Sequence, residues 1–197
     1  MIAAALELVG ERGPNAVTLA DVGQRVGTSH AAVLYHFRSR RELLLAVLEE
    51  RDRKARALLE HCFADGGLDA LRRLAAIGHG LQREPNFTKL AHVLQAESLE
   101  DDQIVRYFQA RYRYIRGGLA RAVRTGQQRG EIRLDLDVDA CVAQVAAFIF
   151  GIAHMHFVDP DQTDVVAVYA DFVRGLIADI AVPGCDGISD SESGAGA

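Results

Sequence analysis

One segment constrains the fold of this chain more than any other: Thr18–Phe37, with the sequence TLADVGQRVGTSHAAVLYHF. It reads as two short helices joined by a glycine turn. Thr18 and Asp21 form a T-x-x-D start signal, because the hydroxyl can cap free amides of the first helical turn. Gly27 can adopt the positive φ that a tight turn between helices requires. Two helices joined in this way are typical of the helix-turn-helix, which reads DNA in the major groove.

Apolar residues fall on one face of each of these helices, at the helical period. In the first helix this face consists of Leu19, Val22 and Val26. In the second, Ser29 is placed to cap the helix, and Val33 and Phe37 are expected to face inward. The opposite face of the second helix is therefore left for DNA.

The stretch from Gly27 to Leu44, GTSHAAVLYHFRSRRELL, resembles the signature of the tetracycline-repressor (TetR) family, G-V-S-x-G-T-L-Y-Y-H-F-x-S-K-x-x-L. The Tyr-His-Phe core and the Ser that follows it match. Ala31 and Ala32 stand where Gly-Thr is usual, and Arg40 stands where Lys is usual. The resemblance covers about the first 48 residues. It implies a homodimeric, ligand-sensing repressor.

Base edges should be met by the N-terminal residues of the second helix. This set is Thr28, Ser29, His30, Ala31, Ala32 and Leu34. The resemblance implies phosphate contacts at Thr18, Tyr35, His36 and Arg40. The alternative for Tyr35 and His36 is packing between the second helix and the helix that follows it.

The charge of the chain is unevenly distributed. The net charge is −5, which argues against general nucleic-acid binding by the whole molecule. Between Asp21 and Arg41, however, four arginines face one aspartate. A basic head on an acidic body suits a protein that touches phosphate at one end only, although a short window can also reach this balance by chance.

The remaining pattern predicts an all-α protein: a three-helix helix-turn-helix head and a larger helical domain for ligand binding and dimerisation. Beyond the pair described above, helices are predicted over residues 2–11, 39–63, 68–81, 87–96, 98–128, 137–157 (or 139–157) and 165–180. Start signals precede several of them, including a Ser39-x-x-Glu42 capping box. We predict a DNA-binding domain over residues 1–45, an effector-binding and dimerisation domain over 46–182, and a disordered tail over 183–197.

The cysteines and the apolar segments indicate a cytoplasmic protein. Cys62, Cys141 and Cys185 form an odd set without C-x-x-C spacing, which argues against a disulfide framework and a zinc site. The N-terminus lacks the basic region of a signal peptide. Polar residues interrupt the most apolar stretch, 141–158, so we predict no membrane partner. Because no catalytic or phosphate-binding motif occurs, we predict no enzyme activity, no catalytic residue, no cofactor and no metal.

The last two helices are apolar over a wide surface, which predicts burial on more than one side. In a chain of 197 residues such a surface suggests a second copy as partner, and the resemblance implies a two-fold four-helix bundle. The expected interface consists of Val145, Ile149, Ile152, Tyr169, Phe172, Val173 and Leu176. The alternative is a monomer with a large core.

Arg111 lies close to the inward stripe of the long helix, and a buried cation needs a partner. That partner is either an anionic ligand or an internal acid such as Glu97; otherwise the side chain extends out to solvent. The predicted effector pocket consists of Phe87, Leu90, Leu94, Phe108, Arg111, Tyr112, Phe148 and Met155. These residues also suit a plain core, and only the family resemblance favours a pocket.

The predicted function is a ligand-responsive repressor that binds double-stranded operator DNA as a homodimer and is released by a small-molecule effector. One alternative is an activator or architectural DNA binder without an effector. Another, from a different class, is a helical-bundle enzyme or carrier in which the helix-turn-helix is incidental.

Overall fold

The structure is a computed structural model that describes residues 1–97 and 101–185, without the side chains of residues 57, 58 and 97. Ten α-helices occupy this described part: α1 Ile2–Arg12, α2 Leu19–Val26, α3 His30–His36, α4 Arg40–Phe63, α5 Gly67–Arg73, α6 Ala76–Arg83, α7 Pro85–Glu97, α8 Asp102–Gln128, α9 Val138–Val158 and α10 Val165–Ile180. The prediction of an all-α fold is confirmed. Ser98, predicted to begin the long helix, and residues 186–197 of the predicted tail lie outside the described residues.

The polar residues predicted to start the helix-turn-helix do cap its helices. At α2, the Thr18 hydroxyl accepts from the Asp21 N–H at 3.2 Å, and the Asp21 carboxylate accepts from the Thr18 N–H at 2.9 Å. These two bonds make a complete capping box. At α3, the Ser29 hydroxyl accepts from the Ala32 N–H at 3.1 Å. Both helix starts are therefore determined by side chains within three residues of the cap.

Later helices begin in the same way, with one difference. Ser39 caps α4 by accepting from the Glu42 N–H at 3.1 Å. The Glu42 carboxylate, however, accepts from the Arg38 N–H at 2.7 Å, so the reciprocal bond of the predicted capping box is shifted by one residue. Asp137 and Asp164 cap α9 and α10.

One predicted helix is two helices in the structure. The segment over residues 68–81 forms α5 and α6, with a turn at Leu74 and Ala75. The N–H groups of these two residues donate to carbonyls three residues back, which is the tighter 3₁₀ pattern. The turn allows α6 to lie against α10, where a Cβ on Gly78 would come within 3.0 Å of the Val165 carbonyl oxygen. No glycine or proline marks the turn in the sequence, so packing decides it.

Two hydrophobic cores organise the described residues, and α4 joins them. The head core combines α1 to α4 with buried residues of α7 and α8, namely Leu90, Leu94, Ile104 and Phe108. The body core is built mainly from α5, α8, α9 and α10. The first half of α4 contributes Leu43, Leu44, Val47 and Leu48 to the head core. Its last residue, Phe63, belongs to the body core.

Helices α9 and α10 each bury one face and expose the other. Five predicted interface residues are buried in the protomer's own body core: Val145, Ile149, Ile152, Tyr169 and Val173. A helix that is apolar nearly all round does not reveal in the sequence which face turns inward. A role of these five residues in an interface stays a prediction. Phe172 and Leu176 are half-buried and still reach the surface. Within the described residues, Val138–Val158 is also the one helix long and apolar enough to cross a membrane by length and composition.

Candidate nucleic-acid interface

The turn between α2 and α3 depends on two glycines. Gly27 adopts φ 70°, and its N–H donates to the Gln24 carbonyl at 3.3 Å. The Thr28 N–H donates to the Gly23 carbonyl at 2.8 Å, which completes the helix end. A Cβ on Gly23 would lie 3.0 Å from the Thr28 carbonyl oxygen and 3.4 Å from Val33 Cγ2. Gly23 thus permits the close approach of α3, a role that sequence reasoning missed although a glycine inside a short helix is a signal for it.

Helix α3 presents its predicted reading residues to solvent. Val33 and Phe37 are buried, as predicted, and they fix which side of the helix faces outward. The exposed members of the predicted set are Ser29, His30, Ala31 and Leu34, and the half-buried members are Thr28 and Ala32. Val26 of α2, expected to face inward, is 39% exposed because it lies at the end of its helix, beside the turn.

The packing alternative for Tyr35 and His36 is wrong. Tyr35 is 86% exposed, and His36 is also exposed. Their rings touch each other edge to face, with centroids 5.5 Å apart. Both side chains are therefore available to a phosphate backbone, and their contact with DNA stays a prediction.

Most of the arginines that give the head its predicted positive charge form ion pairs or hydrogen bonds within the protein. Arg25 of α2 pairs with Glu11 at 2.8 Å and Glu7 at 3.5 Å, which ties α2 to α1. Arg41 pairs with Asp101 at 3.6 Å, which ties the start of α4 to the start of α8. These two arginines position the head, so a count of charges in the window overstates what it offers to phosphate.

Arg40 is also held by the protein. Its Nε donates to the Val17 carbonyl at 2.9 Å, and its Nη2 donates to the Pro14 carbonyl. Arg40 thus braces the turn before α2, and any phosphate contact by this residue stays a prediction. The Arg38 side chain, by contrast, is exposed and has no polar partner among the described residues. We add Arg38 to the phosphate-contact candidates.

Thr18 is exposed at the start of α2, but its hydroxyl is engaged by Asp21 at 2.5 Å. The hydrogen bonds from the Thr18 hydroxyl and N–H lower the pKa of Asp21. A charged carboxylate therefore already accepts the Thr18 N–H and hydroxyl. A phosphate contact by Thr18 stays a prediction.

The residues predicted to line an effector pocket are divided between different parts of the structure. Leu90, Leu94 and Phe108 are buried in the head core, and Phe87 packs against that core with Tyr112. Phe148 belongs to the body core and stacks on Phe172 with centroids 3.6 Å apart. Met155 is 59% exposed. Phe148 therefore joins a different core from Phe87 and Phe108, because periodicity identifies inward residues but not which of two cores they join. A pocket between these three residues stays a prediction.

Arg111 finds its partner on α4. Its Nη1 lies 2.6 Å from Asp52 Oδ2 and 3.2 Å from the Tyr107 hydroxyl. The Tyr107 hydroxyl donates to the same carboxylate oxygen at 2.5 Å. We call these residues the Asp52–Tyr107–Arg111 cluster; it joins α4 to α8. The Glu97 side chain, the acid suggested by the sequence, lies outside the described residues, and the observed partner is 59 positions from Arg111.

Ionisation in this cluster follows from burial and from the Asp52 charge. Burial raises the pKa of Tyr107 above its ordinary range, Arg111 opposes that change and Asp52 adds to it. Burial by itself lowers the pKa of Arg111, but Asp52 and Tyr107 together outweigh burial and the pKa is raised. At neutral pH Arg111 is therefore a cation and Tyr107 a neutral phenol donor.

A cleft of about 460 Å³ opens between α4 and α8 beside this cluster. Arg111 is the one predicted effector residue that lines it. The other walls come from α4 and from neighbouring positions of α8, including Arg56 and Tyr114. The sequence did not signal this cleft, since its two walls are far apart in the chain.

An exposed reading helix on a compact head, joined by one long helix to a larger helical body, defines a helix-turn-helix DNA-binding regulator. Two family descriptions match the chain: "Bacterial regulatory proteins, tetR family" over residues 1–47, and "BetI-type transcriptional repressor, C-terminal" over residues 69–179. The chain belongs to the TetR family of transcriptional regulators, which are not enzymes.

Curated relatives and solved structures agree with this assignment. The chain is 27% identical over 178 residues to the HTH-type transcriptional regulator TtgR of Pseudomonas putida, covering 84% of this chain and 82% of TtgR. It is 25% identical over 177 residues to the probable regulator ArpR of Pseudomonas putida, with the same coverage.

A putative transcriptional regulator from Saccharomonospora viridis, solved with choline, superposes with a TM-score of 0.76 at 24% identity, over 92% of this chain and 95% of that one. SmeT, the repressor of the Stenotrophomonas maltophilia efflux pump SmeDEF, gives 0.72 at 22% identity, over 93% and 90%. At these identities the solved structures support the fold.

Proposed function

We propose that this protein is a homodimeric repressor in the cytoplasm that binds a palindromic operator and leaves it when a small molecule binds the body. The observation that carries the DNA-binding part is the outward face of α3, with Tyr35 86% exposed and Val33 buried behind it. The repressor role is supported by the BetI-type match and by the description of SmeT as a repressor. The effector role is supported by solved relatives in complex with choline and triclosan.

The exposed side of α9 and α10 supports the homodimer. On α9 this outer face includes Ala140, Ala143, Ala147 and Gly151, at spacings of three and four residues. A Cβ on Gly151 of α9 or on Gly175 of α10 would meet no atom within 4 Å. A glycine inside a helix costs about 1 kcal/mol relative to alanine, so close approach of another helix offers a reason to keep it. The stacked Phe148 and Phe172 rings lie half-buried between the two helices.

A second copy also accounts for the composition of α9. A helix that packs on its own body core with one face and on a partner with the other is apolar all round without entering a membrane. Two heads related by two-fold symmetry then read two half-sites about one helical turn apart or slightly more. This assembly is our reason for proposing a palindromic operator and no membrane partner.

The two cores suggest how the binding of an effector to the body changes the position of the head. Helix α4 begins in the head core and ends in the body core, so a shift of α4 against α8 changes the position of the reading helix. A ligand that binds two head spacings unequally changes DNA affinity by linkage, typically by about 1–3 kcal/mol.

The experiment is selection of bound duplexes from random DNA, followed by sedimentation of the free and DNA-bound protein. We expect a two-fold symmetric consensus and one dimer per site. An asymmetric consensus bound by a monomer would contradict the proposal. A symmetric consensus whose affinity no small molecule changes would favour an effector-independent activator or architectural protein.

A further inference from the structure

The cleft between α4 and α8 is lined by more arginines than acids. Its charged residues are Arg51, Arg53, Arg56 and Arg111 against Glu49 and Asp52. Two of the arginines share one carboxylate: Asp52 lies 2.6 Å from Arg111 and 3.3 Å from Arg51. Arg56 lies over the ring of Tyr114 at 5.3 Å from its centroid. Arg51 also pairs with Glu84 at 3.0 Å, and Arg53 pairs with Glu50 at 2.7 Å. Arg56 and Arg111 are therefore the cations that can attract an anion to this concave surface.

Arg111 has hydrogen-bonding capacity left for a ligand. Both of its described contacts, to Asp52 and to Tyr107, use Nη1. Its Nε and Nη2 make no hydrogen bond to any described residue, and the side chain retains 26% exposure. Two parallel N–H groups on one edge of a guanidinium match the two oxygens of a carboxylate.

The rest of the cleft suits the apolar part of an organic molecule. Leu59, Ala110 and Ile115 line it together with the rings of Tyr107 and Tyr114. Its volume of about 460 Å³ lies within the range of small-molecule pockets, which are largely apolar with a few placed polar groups.

We propose that this cleft binds an organic monocarboxylate, with its charged end on the free edge of Arg111 and its aromatic or aliphatic body against the tyrosines and Ile115. The bound carboxylate competes with Asp52 for the Arg111 charge and so loosens α4 from α8. The consequence for DNA rests on the function proposed above, whereas the binding itself does not.

The position of Asp52 explains why such competition reaches the head. Asp52 lies one helical turn after Leu48, a buried α4 residue of the head core. The cluster therefore holds α4 to the body immediately behind the head. Weakening that contact allows α4 to change its angle to α8.

The test is calorimetric titration of the full chain, without DNA, with 2-naphthoate, 4-phenylbutyrate and decanoate, each paired with its neutral carboxamide. We expect at least one carboxylate to bind more tightly than its carboxamide. Arg111→Met should weaken that carboxylate about tenfold or more, because a charge-assisted bidentate contact is lost. Arg113→Met is the matched control, since Arg113 is exposed on the same helix and bonds only the Gln109 carbonyl among the described residues; it should bind as the wild type does.

Asp52→Asn keeps the proposal testable if Arg111→Met fails to fold. It removes the internal competitor, so the carboxylate should bind about threefold tighter or more. The proposal is overturned if no carboxylate binds better than its carboxamide, if Arg111→Met binds as well as the wild type, or if Asp52→Asn weakens binding.

A second arm adds the selected DNA. Release of DNA by the carboxylate from wild type, and not from Arg111→Met, supports the coupling. A carboxylate that binds through Arg111 and leaves DNA bound overturns it. If the wild-type protein selects no DNA, the proposed function fails. The titration without DNA still decides whether the cleft binds a carboxylate.

Discussion

Arg40, the first residue of α4, donates from Nε to the carbonyl oxygen of Val17 at 2.9 Å, across the turn that precedes α2. This bond connects the start of one helix to the entry of another and so orients the helix-turn-helix. A residue matching a phosphate-binding position of the family therefore also has a structural role in the free protein.

We expect Arg40→Ala to lower the free energy of unfolding by about 1–3 kcal/mol, because two partly buried carbonyls lose their donor. DNA affinity should fall for all sequences alike. Arg38→Ala is the matched variant: it should leave thermal stability unchanged, weaken binding uniformly, and reduce the salt dependence of binding by about one unit of slope. Thermal melts and binding at several salt concentrations measure both effects. Equal stability of the two variants would show that the Arg40 bonds contribute nothing.

The exposed face of α3 should divide into residues that specify bases and residues that position the helix. Tyr35→Phe should weaken binding to all DNA sequences equally, because phosphate contacts carry no sequence information. His30→Ala and Thr28→Ala should change preference at particular bases, by about 1–3 kcal/mol for a good contact. Affinities for single-base variants of the selected DNA test this. An unchanged profile for His30→Ala would remove His30 from the reading set.

The outer face of α9 should hold the dimer together. Ala147→Arg places a charge on an exposed position, so the monomer should fold while dimerisation and DNA binding are lost together. Phe172→Arg should act in the same direction. Gln82→Arg, exposed on α6, is the control and should remain a dimer. Sedimentation velocity at micromolar concentration measures the outcome, and a dimeric Ala147→Arg protein would place the interface elsewhere.

The capping box at α2 should make the head sensitive to acid. The pKa of Asp21 in the folded protein is lowered by Thr18, so its contribution is present above the ordinary carboxyl pKa of about 4 and is lost as the pH falls through the folded value. The melting temperature of the wild type should fall more steeply than that of Asp21→Asn between about pH 5 and pH 2. Parallel curves would contradict a stabilising role for the carboxylate.

Replacing Tyr169 with phenylalanine should not destabilise the protein. Its side chain is 1% exposed, and its hydroxyl has no hydrogen-bond partner among the described residues. An unsatisfied buried hydroxyl costs about 1–3 kcal/mol, so Tyr169→Phe should raise the free energy of unfolding by up to that amount. Denaturant titration measures it, with the exposed Tyr35→Phe as a control for the loss of a phenol oxygen. A clear destabilisation by Tyr169→Phe would show that the hydroxyl has a partner in solution.

The sequence was sufficient for features that short-range chemistry determines. Thr18, Ser29 and Ser39 each cap a helix through an N–H three residues away, so their positions in the chain alone mark the helix starts. The same holds for the turn at Gly27, whose positive φ suits a residue without a side chain. Helical periodicity then separated the buried Val33 from the exposed reading face of α3.

Only the tertiary structure decided the features that depend on distant partners. Asp52 and Arg111 meet because α4 lies on α8, and nothing within one helix indicates that pairing. The inward face of α9, the turn between α5 and α6, and the core that Phe108 joins are likewise set by which surfaces pack together. The same packing gives the arginines of the head internal partners, as with Arg40 at Val17. Contacts within one turn of helix are encoded locally, whereas contacts between helices are chosen by the burial of the whole chain.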